Sequence, residues 1–285
     1  HINGWVLVLP AVFMISLFTH YPIVSNIFHS LFSMGTVTRP PVFIGLENYA
    51  VLMEDEIFWK VLTNNFIYSM CTVPVSIAFA LGMALLINKK IKGRSLVRMS
   101  FFTPTVLPMI AVANIWLFFY TPEYGLFDQI FAFFGGDSHN WLGNPNTALY
   151  CLIAMVIWKE SGFFMVFYLA ALQQLSPELK EAGHVEGAGS WYYFRRGTFP
   201  MLMPTTLFIT VNAVVNSFKL VDPLVIMTKG GPDNASSLLL YYIYENAFSF
   251  WDTSYAATLT VVLVLILAVI TVIQFVVVEK RIHYQ

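Results

Sequence analysis

Residues 61–87, VLTNNFIYSMCTVPVSIAFALGMALLI, contain no Asp, Glu, Lys or Arg. As a helix this run would measure ~40 Å, longer than the ~30 Å hydrocarbon core of a bilayer. Lipid offers no hydrogen bonds to backbone polar groups, so such a stretch is stable there as a helix that satisfies them internally. The pattern recurs on both sides. Six stretches qualify as spans: roughly Gly4–Phe32, Val61–Ile87, Val97–Phe119, Thr147–Gln173, Pro204–Met227 and Tyr255–Val278. Pro10, Pro22, Pro74, Pro104 and Pro108 lie within them, which predicts kinked or broken helices around a cavity, not a simple anchor. The run from Gly4 to Phe32 is too long for a signal-peptide core and lacks a small-residue cleavage site, so it is expected to be a retained helix. The abrupt start at His1 suggests that a short polar segment precedes it.

Composition agrees. Of 285 residues, 58% are apolar and 11% charged, with a mean hydropathy of +0.69. A soluble domain carries about 25% charged residues, so this chain lacks the polar groups to cover a water-facing surface. That excludes an ordinary soluble enzyme and a disordered chain, and the net charge of −1 excludes an electrostatic nucleic-acid binder. Cys71 and Cys151 sit alone inside apolar runs and are expected to be small apolar fillers, neither a disulfide nor a metal site.

The basic residues set an orientation. Lys89, Lys90, Lys92, Arg94 and Arg98, then Lys180, Arg195 and Arg196, then Lys280 and Arg281 fall in alternate connections and the tail, whereas the opposite loops hold only Arg39, Lys60 and Lys229. The positive-inside rule places the former set, and hence both termini, in the cytoplasm. No internal repeat or long linker divides the chain, so a single transmembrane domain over residues 1–285 is expected.

One cytoplasmic connection, residues 176–204, has a helical grammar of its own. Ser176-Pro177-Glu178 offers an N-cap, a proline at the first helical position and an acid near the positive end of the dipole. Gly187 offers a left-handed stop, and Ser190 can cap a second turn, Trp191 to Arg196, that Pro200 ends. Spacing alone leaves two readings, a docking element or a bland interfacial helix.

The block Glu181-Ala182-Gly183-His184-Val185-Glu186-Gly187-Ala188, continuing through Phe194 to Pro200-Met201-Leu202-Met203-Pro204, resembles the EAA loop of binding-protein-dependent ABC importer permeases. Gly183 stands where that pattern has its second Ala, and Glu186 where it has Asp. Phe43-Ile44-Gly45-Leu46-Glu47-Asn48-Tyr49 and Thr228-Lys229-Gly230-Gly231-Pro232 are similar to the family's F-x-G-L-x-N-Y/F and T-x-G-G-P elements, those of its carbohydrate-uptake branch. The resemblance implies an all-α membrane protein with the type I ABC importer permease fold, six transmembrane helices and a cytoplasmic coupling helix. It implies import of a sugar or related polyol by alternating access. Glu181, Ala182, Gly183, Glu186, Gly187 and Ala188 would dock on a separate ATPase. The implied partners are a second related permease in a heterodimer, two ATPase copies, an extracytoplasmic solute-binding protein, a sugar-like small molecule and membrane lipid. The implied location is the inner membrane. No GxxxxGK[ST] loop is present, so ATP and Mg are expected on the partner ATPase and no cofactor or enzymatic activity in this chain.

Charges within spans are costly and each invites a role. Lys159 and Glu160 adjoin in the fourth stretch; Lys219 and Asp222 lie three apart in the fifth, where a helix would put them on one face. They either neutralise each other or, with Asn212 and Asn216, form a polar stripe along the solute path, with Trp158 or Tyr168 against a sugar's apolar face. Asp222 precedes Pro223, an expected local break. His20 and His29 are expected to be hydrogen-bonded packing residues, and the paired phenylalanines lipid-facing or packing. An intramembrane enzyme lacks its signatures here, HExxH, GxSxG or paired intramembrane aspartates. The alternatives are an ATPase-independent secondary transporter and an importer of glycerol-3-phosphate, which the charges of Lys219 and Asp222 do not decide.

Overall fold

The apolar runs fold as helices throughout the computed structural model, which describes residues 2–35, 40–89, 92–176, 187 and 189–279. In chain order these are α1 (Ile2–Ile15), α2 (Tyr21–His29), α3 (Glu47–Glu54), α4 (Glu56–Asn88), α5 (Arg94–Val106), α6 (Met109–Phe119), α7 (Leu126–Phe133) and α8 (Ala148–Gln174). They continue as α9 (Ser190–Tyr193), α10 (Phe199–Met201), α11 (Met203–Ser217), α12 (Leu239–Tyr244) and α13 (Thr253–Glu279). Among the described residues, five helical stretches are long and apolar enough to cross a bilayer: Leu7–His29, Glu56–Asn88, Ala148–Gln174, Ser190–Ser217 and Thr253–Val276. The sixth candidate is the pair α5 and α6, bent by 100° at Leu107–Pro108.

Prolines act unequally. Pro74 sits inside α4 without interrupting it, and Pro10 and Pro104 lie inside α1 and α5. Pro22 opens α2 after a π turn at Ser16–His20, and Pro108 marks the sharp bend. The fifth span differs from the expected Pro204–Met227 at both ends. Its helical stretch begins at Ser190, because a π turn at Phe194–Thr198 carries the helical path on through Pro200 in α10. Pro200 therefore does not end the aromatic turn. Gly189, not Ser190, occupies the N-cap position of α9. At the other end α11 stops at Ser217.

By internal contacts the chain divides into two compact units. The first comprises His1–Trp59 and Leu239–Ala268. The Phe43–Tyr49 element has a structural job there: Gly45 adopts a left-handed φ of +63°, and the Asn48 amide donates to the carbonyls of Ser30 and Phe32, each at 2.9 Å. The Tyr49 hydroxyl meets Ser30 Oγ at 2.8 Å, and the rings of Phe32 and Phe43 pack edge to face. The Asp55 carboxylate accepts from the hydroxyls of Tyr242 at 2.7 Å and Tyr255 at 2.6 Å. His20 and His29 are exposed; the His20 ring lies 3.2 Å from the Ile15 carbonyl.

The second unit comprises Lys60–Leu238 and Val269–Gln285. Its core interleaves α4 (Val73, Ala80, Ala84) with α8 (Phe164, Tyr168, Leu172) and α11 (Ile209, Ala213). Helix α5 lies so close to α8 that a Cβ on Gly162 would fall 2.2 Å from the Phe101 carbonyl oxygen, so only glycine fits. The Thr228–Pro232 element turns through left-handed Lys229 and Gly230, and Asn64 of α4 donates to the carbonyls of Asn234 at 2.8 Å and Ser237 at 3.1 Å beyond it. Between α6 and α8, buried Asp128 gathers the Glu123 N–H (2.7 Å), Ser138 hydroxyl (2.5 Å), His139 N–H (3.0 Å) and Trp141 indole (3.1 Å). Cys71 and Cys151 are free thiols.

Candidate functional site

Within the second unit, α4, α6, α8 and α11 surround a cavity of about 270 Å³. Tyr68 and Ser76 face it from α4, Met109 from α6, Glu160 from α8, Asn216 from the last turn of α11 and Lys219 from the chain just beyond. The volume lies near the lower end of the ~300–1,000 Å³ typical of small-molecule sites. Its wall is apolar with a few polar groups of mixed kind: a carboxylate, an ammonium, an amide and hydroxyls. Ser76 is 1% exposed, and its Oγ has no hydrogen-bond partner among the described residues, an orphaned group at the cavity wall. The Asn216 side chain approaches the Glu160 carboxylate.

The sequence-derived stripe is only half realised. Asn216 and Lys219 line the cavity, but Asn212 lies outside its wall and spends its amide on the Phe208 carbonyl at 2.8 Å. Asp222 is exposed and also outside the wall. The reason is the end of α11: residues 219–221 are not helical, so the spacing of three that would put Lys219 and Asp222 on one face does not apply. Among the described residues no ion pair joins them, which removes the mutual-neutralisation reading. The break expected at Pro223 falls a few residues earlier, and Pro223 instead precedes a π turn at Leu224–Thr228. Trp158 packs against Trp116, ring centroids 5.7 Å apart and planes tilted by 58°, away from the cavity wall. Tyr168 is buried in the core and bonds Thr206 Oγ1 at 3.0 Å, so neither ring faces the cavity.

Tyr68, Ser76 and Glu160 are among the wall residues that the sequence did not place on the solute path. A signal for Glu160 existed: successive helical residues point about 100° apart, so Lys159 and Glu160 could not share one environment. Lys159 turns from the cavity toward the α5–α6 bend, where its Nζ donates to carbonyl oxygens.

Of the docking residues, Glu181, Ala182, Gly183, Glu186 and Ala188 lie outside the described residues. Gly187 has a φ of +73°, the left-handed geometry expected of it.

Membrane-length helices, one of them sharply broken, around a cavity with a few convergent polar groups define a solute-conducting membrane subunit. The chain belongs to the family of binding-protein-dependent transport system inner membrane components, whose profile matches residues 75–284. It is 34% identical over 287 residues to the lactose transport system permease protein LacF of Rhizobium radiobacter, covering 98% of this chain and 95% of that one. It is 33% identical over 258 residues to the sulfoquinovosyl glycerol transport system permease protein SmoG of Agrobacterium fabrum, covering 90% and 84%. Identity to the sn-glycerol-3-phosphate transport system permease protein UgpA of Yersinia pestis is 29%, with 99% and 95% covered. A crystal structure of a bacterial ABC transporter involved in the import of the acidic polysaccharide alginate superposes with a TM-score of 0.86 at 21% identity, over 98% of this chain and 95% of that one. The fold is therefore that of a type I ABC importer permease, and the chain is the permease subunit of an ATP-binding-cassette importer.

Proposed function

We propose that this permease moves a sugar or related polyol into the cytoplasm by alternating access, and that the cavity bounded by Glu160, Asn216 and Lys219 is its share of the solute path. The observation that carries the reading is the wall itself: donors and acceptors without excess charge, one carboxylate against one ammonium, suit hydroxyls better than an anion. The relative named for lactose supports a neutral polyhydroxy solute, and the one named for sulfoquinovosyl glycerol supports a glycoside that also bears a sulfonate. The relative named for glycerol-3-phosphate keeps that anion as the second reading, with Lys219 as the one cavity residue that favours it.

The drive comes from a separate ATPase, present in two copies, which binds ATP with Mg. The 176–204 loop docks on it, with Glu181 meeting a basic groove residue and Gly187 making the turn. A second related permease completes the path, and an extracytoplasmic binding protein delivers the solute. A solved bacterial alginate ABC transporter, in complex with an alginate pentasaccharide-bound periplasmic protein, supports that arrangement for a chain of this fold. Both termini face the cytoplasm on the charge asymmetry already described, and the exposed apolar side chains of α1, α2 and α13 meet lipid or the second permease.

The test is uptake by the complete importer, reconstituted with its binding protein and offered radiolabelled lactose, maltose or sn-glycerol-3-phosphate. With whichever is transported, Glu160→Gln and Asn216→Ala should each raise the half-saturating concentration about tenfold, the effect of removing a hydrogen bond to a buried partner. Unchanged half-saturation in both would remove the cavity from the path.

A further inference from the structure

The sharpest irregularity in the second unit lies beside the cavity. In a continuous helix the carbonyl of Pro104 would accept from the N–H four residues on, but residue 108 is proline and has none. The carbonyl of Thr105 would accept from Met109, which the 100° bend carries away. Leu107, extended at φ −68° and ψ 137°, adds a third free carbonyl. An apolar setting gives such groups no water, and leaving them unpaired is costly.

All three are met by one side chain. Lys159 Nζ donates to Leu107 O at 2.7 Å, Pro104 O at 3.3 Å and Thr105 O at 3.4 Å. An ammonium has three donors and no acceptor, and the match is one to one. The cation also sits at the C-terminal, negative end of the α5 dipole. Lys159 is 7% exposed, and the Thr105 hydroxyl returns a bond to the Lys159 carbonyl at 3.2 Å. The spans are thus locked reciprocally just below the glycine contact at Gly162. Both neighbours of this clamp belong to the cavity wall: Glu160 follows Lys159, and Met109 is the first helical residue after the bend.

We propose that Lys159 is a positioning residue for transport: it holds the α5–α6 bend in place and so fixes the Met109 wall relative to Glu160. It touches no solute. Its part in transport rests on the reading of the cavity as part of the solute path.

The test compares Lys159→Met, which keeps the stem and removes the donors, with Lys159→Arg, which keeps a cation able to reach several carbonyls. Spin labels at Met99 and Phe118, both exposed and on opposite sides of the bend, report its geometry in the full importer without any ligand. Lys159→Met should broaden the distance distribution and raise the half-saturating concentration of the transported probe sugar about tenfold, with the maximal rate within about twofold. Lys159→Arg should restore both. A Lys159→Met importer with wild-type distances and half-saturation overturns the proposal. Should that variant fail to assemble, Lys159→Gln and Thr105→Val decide: distances and half-saturation unaltered in both overturn it, and a shift in either measurement supports it. Glu160→Gln and Asn216→Ala separate the two readings. If they leave half-saturation unchanged while Lys159→Met still broadens the bend, the cavity reading fails and the clamp stands; the converse leaves the cavity and removes the clamp.

Discussion

Asp128 shows what one carboxylate can organise outside the spans. Four donors converge on it from Glu123, Ser138, His139 and Trp141, and these bonds, led by that from the Ser138 hydroxyl, hold its carboxyl below the usual carboxylate range. A carboxyl depressed in the folded state stabilises fully above its unfolded value, about 3.9, and that contribution is lost as pH falls toward the folded value. Hydrogen exchange at the Glu123 and His139 amides should therefore stay slow from neutral pH down to about pH 4 and accelerate at neutral pH in Asp128→Asn. Equal protection in the variant would mean that the loop is held by other means. Nothing in the sequence marked Asp128, because its partners are drawn from both sides by a loop whose path no spacing rule encodes. Glu160 was partly legible as a costly charge within a span. Which way it pointed was not, since that depends on where α5 ends and draws Lys159 away.

At the scale of elements, helix length and position were legible because the membrane demands them of any apolar run. The breaks were not. Pro74 leaves α4 unbroken, whereas Pro108 accompanies a 100° bend, and the carbonyls at that bend are served by a lysine about fifty residues later in the chain. The end of α11 at Ser217 was equally hidden, and it alone dismantles the Lys219–Asp222 pairing. The tight α5–α8 approach gives a prediction at this scale. Gly162→Ala would bring a methyl to 2.2 Å from the Phe101 carbonyl oxygen, forcing the helices apart at a cost of about 1–3 kcal/mol. Thermal unfolding of the detergent-solubilised complex should show the loss, whereas Gly82→Ala on α4, where a Cβ meets nothing within 4 Å, should not. Equal stability of the two variants would contradict the packing argument.

For the whole molecule, the family and its fold were legible through a handful of residues: the Glu181–Ala188 block and the Phe43–Tyr49 and Thr228–Pro232 elements. Two of those blocks are now intelligible in physical terms, one as the Asn48 clamp on Ser30 and Phe32 and the other as a left-handed turn folded beside Asn64. On the proposed mechanism, this chain conducts solute only when a separate ATPase drives it through the 176–204 loop. The direct measurement is solute uptake into proteoliposomes holding both permeases, with and without the ATPase, alongside the same particle carrying Glu181→Lys. Uptake should require the ATPase and ATP, and Glu181→Lys should abolish it while leaving both permeases assembled. Uptake at the wild-type rate without the ATPase, or undiminished by Glu181→Lys, would contradict the account.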